Sequence, residues 1–119
     1  MKLTNAKMDE HYASLVAISE RVTGKLGYAI ARNIRKLSEE LVEYHSLKDK
    51  AIIKYGTTDE NGQTRIQIGS DAYKSFLEEM KEYTNIEHEV PIFGVTEEEV
   101  LSSNLTAKEI LAIDFMILE

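Results

Sequence analysis

Between residues 5 and 23 the apolar positions fall at Met8, Tyr12, Leu15, Val16 or Ile18, and Val22, in steps of three and four. That spacing gathers them on one stripe of an α-helix, and Thr4 or Asn5 stands where an N-cap belongs. After "TGKLG" a second stripe runs through Leu26, Ile30, Ile34, Leu37, Leu41, Tyr44, Leu47, Ala51 or Ile52, and Tyr55, with no proline inside it. It predicts a helix of about 30 residues, or about 45 Å at 1.5 Å per residue. A stripe that long must be covered by the first helix, by a third helix or by a second copy of the chain. A helical hairpin is the simplest solution, and a homo-oligomer through the long helix is the other. The opposite face carries Arg32, Arg35, Lys36, Glu39, Glu40 and Glu43. Opposite charges three or four residues apart predict a solvated, self-paired surface there.

The period changes after Tyr55-Gly56. "TTDENGQT" is dense in turn formers, and "RIQIG" alternates polar and apolar as a half-buried strand does. Ser70 or Asp71 can cap a third helix, "DAYKSFLEEMKEYTN", with Tyr73, Phe76 or Leu77, Met80 and Tyr83 on one stripe. "EHEVPIFGV" then predicts a second short strand, which Pro91 confines to an edge, paired with residues 64–68. Two capping boxes follow, Thr96 with Glu99 and Thr106 with Glu109, each starting a short helix. The last, "AKEILAIDFMILE", is apolar nearly all round, which predicts a core segment, or a partner-binding patch if it is exposed. The expected fold class is α+β, mainly α: a long helical hairpin, a short two-stranded antiparallel sheet and short C-terminal helices.

At 119 residues the chain has room for one domain and one core. It has no cysteine, hence no disulfide and no thiolate site. "MKLTNAKMDEHY" carries acids where a signal peptide needs an apolar run, and no stretch of about 18 apolar residues follows, so a soluble protein away from membranes is expected. Charge divides the chain. Residues 1–70 carry 11 Lys+Arg against 9 Asp+Glu, a net of +2, whereas residues 71–119 carry 3 against 12, a net of −9. Such a half reads as a solvated acidic face, or as a surface that docks on a basic protein; direct nucleic-acid binding is not expected. The candidate partner-binding residues are therefore Glu78, Glu79, Glu82, Glu97, Glu98 and Glu99.

Chemical motifs are sparse. Aligning Gly62 with position 6 of a calcium loop puts Asp59 at 3 and Asn61 at 5. Thr57 then falls at position 1 and Ile68 at position 12, where the essential carboxylates belong. The stretch is expected to turn the chain, with Asn61-Gly62 supplying positive φ angles, and no metal is assigned to it. His11, His45 and His88 stand alone in sequence and read as surface residues; in a strand, Glu87 and Glu89 would face away from His88. The chain lacks GxSxG, HExxH, the Walker-type phosphate loop and GxGxxG, and "GKLG" is too short to cradle a phosphate. The carboxylate pairs lie on polar faces, where nothing shifts a pKa for acid–base work. Asp114, inside an apolar segment, reads as a solvent-side or partnered position. The six tyrosines lie on or near the helical stripes and read mostly as core residues with wet hydroxyls. No catalytic, cofactor-binding or metal-ligating residue is assigned, and no cofactor is expected.

The succession "GYAIARNIRKLSEELVEYHSLKDKAIIKYGTTDENG", "FLEEMKEYTNIEHEVPI" and "LTAKEILAIDFMI" resembles a family of small uncharacterised proteins from tailed phages and prophages of Gram-positive bacteria. The resemblance runs in order along nearly the whole chain and carries no residue roles. It implies a phage origin, in the host cytoplasm or the virion. The function expected is non-enzymatic protein–protein binding in virion or tail assembly, or as an intracellular adaptor. The alternative is an inhibitor of a host antiphage defence system, anti-CRISPR-like, docking through its acidic half.

Overall fold

A computed structural model describes residues 1–118 and shows the helical stripes folded much as their spacing predicts. Helix α1 spans Asn5–Ile18, followed by a 3-10 turn over Ser19–Arg21. Thr4 is the N-cap, its hydroxyl accepting from the Lys7 N–H, and Asn5 lies inside the helix. The long second stripe forms two helices, α2 (Gly24–Glu40) and α3 (Val42–Tyr55), which meet at Leu41. Leu41 has φ −90° and ψ −1°, yet its N–H still donates to Leu37 and its carbonyl still accepts from His45. The hydrogen-bond ladder crosses the break, so α2 and α3 form one rod. Leu26, Ile30, Leu37, Leu41, Tyr44 and Ala51 are buried along it, and Ile34, Ile52 and Tyr55 pack against the core.

A hairpin follows, β2 (Thr57–Thr58) against β3 (Thr64–Arg65), then helix α4 (Asp71–Thr84) and strand β4 (Glu87–Glu89). Ser70 caps α4 through its hydroxyl. The expected pairing of β4 with residues 64–68 does not form. Strand β4 instead pairs antiparallel with β1 (Lys2–Thr4), with Leu3 opposite His88, while β3 pairs with its neighbour β2. Three residues before a helix carry no alternation to read, and the turn at Asp59 keeps β3 close to β2. Ile68, taken as part of a strand, is 81% exposed.

Two short helices complete the chain, α5 (Glu97–Leu101) and α6 (Ala107–Ala112), each opened by the expected capping box. A 3-10 turn over Asp114–Met116 follows, and Ile117 makes a parallel bridge with Val95. The architecture is mainly helical with two small antiparallel sheets, and α1 lies against α2 while α4 lies against α3. The apolar tail is divided rather than wholly buried: Ile113 and Met116 are in the core, but Leu111 and Leu118 are exposed.

Asn33 holds the C-terminal part to the rod. It is fully buried on α2; its Nδ2 donates to the Phe93 carbonyl at 2.9 Å and its Oδ1 accepts from the Phe93 N–H at 2.7 Å. One side-chain amide thus pairs with both backbone polar groups of residue 93. Lys36 donates to the Pro91 carbonyl at 2.8 Å and adds a second tie from the same helix.

Candidate protein-binding surface

Three side chains with large apolar surfaces meet where α2, the 92–96 segment and the tail converge. Tyr28 is 58% exposed, Phe93 40% and Leu118 58%. With Gly94, Lys25, Thr96 and Glu99 they line an open hollow of about 410 Å³. The rings of Tyr28 and Phe93 meet edge to face, with centroids 5.6 Å apart. Backbone bonds hold the floor, the Val95 N–H donating to Met116 and the Leu118 N–H to Val95, at 2.9 and 2.7 Å. A Cβ added to Gly94 would meet only the Leu118 side chain, 2.5 Å from its Cδ2, and would make that leucine turn aside. The hollow is therefore a formed feature of a packed backbone. Tyr28 departs from the expectation that the tyrosines pack in the core.

The candidate acids divide between two places. Glu97, Glu98 and Glu99 form the first turn of α5, which lies against α2, and Glu99 lines this hollow. Glu99 also bonds the Thr96 N–H in its capping box. Glu78, Glu79 and Glu82 lie on α4, along the α3 half of the rod. Glu79 is engaged within the chain, meeting Lys54 Nζ at 2.7 Å and the Tyr55 hydroxyl at 3.3 Å. The Lys54 hydrogen bond holds the Glu79 carboxyl below its usual range. Glu78, Glu82, Glu97 and Glu98 are exposed. The structure thus sets Glu99 beside an apolar hollow and the other group of three acids on α4, which packs against α3.

No family model, curated protein or solved structure matches this chain.

The remaining expectations are resolved locally. Asp59 closes the 57–65 hairpin: its Oδ1 accepts from the N–H groups of Asn61 and Gln63 at 2.9 and 3.0 Å. Gly62 has φ +79°, while Asn61 does not enter the positive-φ region, so only the glycine supplies that geometry. The loop is a turn of the G1-bulge kind, and its acid serves the backbone. Among the described residues no group of three or more His, Cys, Asp or Glu side chains is placed to hold a metal ion. None of the three histidines is a freely exposed surface residue. His11 stacks on Phe115 with centroids 3.8 Å apart, His45 Nε2 meets Asp9 Oδ1 at 2.7 Å, and His88 Nδ1 lies 3.6 Å from Glu40. Burial pushes the Asp9 carboxyl up, but hydrogen bonds and charge from His45 and Lys48 outweigh it and hold the group below its ordinary value. Asp114 is exposed, as its solvent-side reading requires. The expected self-pairing of α2 is not what forms, since Lys36 turns to Pro91 and Glu40 to His88. No helix among the described residues is long and apolar enough to cross a membrane.

Proposed function

We propose that this chain is a non-enzymatic phage or prophage accessory protein that works by binding another protein, in virion or tail assembly or as an adaptor in the host cytoplasm. The observation that carries the binding role is the hollow at Tyr28, Phe93 and Leu118. Exposed aromatic and aliphatic surface around a concavity is what a partner's apolar anchor fills, and Lys25 and Glu99 supply a polar rim. Glu97 and Glu98, in the same helical turn as Glu99, favour a partner with basic residues around that anchor. The phage origin rests on the sequence resemblance. The anti-defence alternative needs a broad field of free carboxylates across the acidic half. The internal use of Glu79 by Lys54, of Glu109 by Arg21 and of Glu99 by its own helix cap weighs against it.

The test is site-specific photocrosslinking in cells that produce the phage. A benzophenone side chain at position 28 is expected to give one discrete heterologous adduct, and the same group at the exposed Ile68 none. No adduct at position 28, or the same adducts from both positions, would overturn the reading.

A further inference from the structure

Between Glu20 and Glu39 the chain carries five basic residues and no acid, although acids outnumber bases 21 to 14 overall. The five are Arg21, Lys25, Arg32, Arg35 and Lys36, the last four of them on α2. Two are engaged inside the molecule, Arg21 with Glu109 and Lys36 with the Pro91 carbonyl. Lys25, Arg32 and Arg35 are exposed, and among the described residues none of the three side chains makes an ion pair or a hydrogen bond.

With Tyr28 these three follow one another in steps of three and four, at 25, 28, 32 and 35. They therefore form one stripe on the helix, clear of the buried Leu26, Asn33 and Leu37. From Lys25 to Arg35 the stripe is about 15 Å long at 1.5 Å per residue. It starts at the hollow, which Lys25 and Tyr28 both line, and runs away from it along α2. Carboxylates bound it at both ends: Glu99 lines the hollow with Lys25, and Glu39 follows Arg35 by one turn. Charges more than about 8 Å away are largely screened in physiological salt, so the net charge of −7 does not cancel the stripe. A single-stranded nucleic acid, charged at every unit, would meet those carboxylates as it ran past either end. A short acidic segment of a protein meets only the cations.

We propose that the Lys25–Arg32–Arg35 stripe binds an acidic segment of the partner, with carboxylates within about 15 Å of the apolar anchor that enters the hollow. The proposal rests on the protein-binding reading of that hollow. Arg32 and Arg35 offer planar forks that match a carboxylate, and Lys25 adds a point charge where the stripe meets the hollow. The partner's anchor then lies between acids that face α2 and bases that face α5.

The test is the same cross-linking from a benzophenone at position 28 in phage-producing cells, scored for yield. Arg32→Glu combined with Arg35→Glu is expected to lower the yield of the adduct at least about fivefold. Arg32→Lys combined with Arg35→Lys keeps the charge and is expected to retain at least about half of it, which separates a loss of charge from a loss of fold. Lys50→Glu combined with Lys74→Glu makes the same change of net charge at exposed positions on α3 and α4 and is expected to leave the yield unchanged. The partner peptide joined to position 28, sequenced by mass spectrometry, is expected to carry acids within about five residues of the joined one, the extended length that spans the stripe. An unchanged yield in the Arg→Glu pair, an equal loss in the Lys50 and Lys74 pair, or a joined peptide without acids would overturn this proposal and leave the hollow as the binding site. An adduct that nuclease digests would assign the stripe to nucleic acid and overturn it as well. No adduct from any version would overturn the reading of the hollow and this proposal with it.

Discussion

Asn33 shows how much one side chain decides in this protein. It stands three residues after Ile30 and four before Leu37, on the buried stripe itself, and a polar residue there invites a search for a buried partner. The partner is the Phe93 peptide, 60 residues away, which no local pattern could name. Replacing Asn33 with Ala leaves the Phe93 N–H and carbonyl without that partner. The expected cost is about 1–3 kcal/mol of unfolding free energy, measured by urea titration. A change near zero would show that the 92–96 segment does not depend on this clamp. Asn5 teaches the same lesson from a different start. Thr4 takes the cap, which frees the Asn5 amide to reach Tyr83 and leaves its oxygen buried without a partner.

Among the elements, the helices were legible, and of the strands only the positions of β3 and β4 were, not β1, β2 or any pairing. Helices α1, α2, α3 and α4 each carry three or more apolar residues at a period of three to four, and each has that stripe in or against the core. The strands are two or three residues long, too short to show a period of two. The way the tail docks was equally hidden, because it depends on His11 of α1 stacking on Phe115. Burial lowers the His11 pKa from its ordinary 6.5, more than the neighbouring Glu10 raises it. The unfolded chain then takes up this proton before the folded chain does, so the stabilising share of His11 is complete above pH 6.5 and is lost as pH falls through the lowered value. His11→Phe keeps a ring against Phe115 and removes the titration. Its stability curve is expected to fall less steeply than the wild type's below about pH 6.5. Equal slopes in thermal melts of the two proteins would show that the stack does not carry this proton linkage.

At the scale of the molecule, the rod sets the shape. The extents are 47 by 32 by 22 Å and the radius of gyration is 16.7 Å, against about 13.5 Å for a compact domain of this length. The excess follows from α2 and α3 lying end to end instead of folding back on each other. Their stripe is nonetheless covered by α1, α4 and the C-terminal segments, so no second copy is needed to bury it. The expected species is a monomer, with the mass of one chain by light scattering and a radius of gyration near 16.7 Å by small-angle scattering. A dimer would instead place a self-interface on the exposed apolar positions, first of all at Tyr28, Phe93 and Leu118.

The sequence by itself determined the helical stripes of α1, of the α2–α3 rod and of α4, their buried faces, the two capping boxes and the turn at Gly62, because each follows from residues a few positions apart; the break at Leu41 was not among them. It also located the acids, but not what they stand beside. Only the tertiary structure decided that β4 joins β1, that Asn33 grips Phe93, that Glu99 borders an apolar hollow, and that Asn5 and His88 line one cavity. These features join residues 60 or more positions apart, except the Phe93–Glu99 border, which still needs α2 and the tail to close it. Such pairings depend on which surfaces remain uncovered once the helices have packed, and periodicity along a chain contains no record of that.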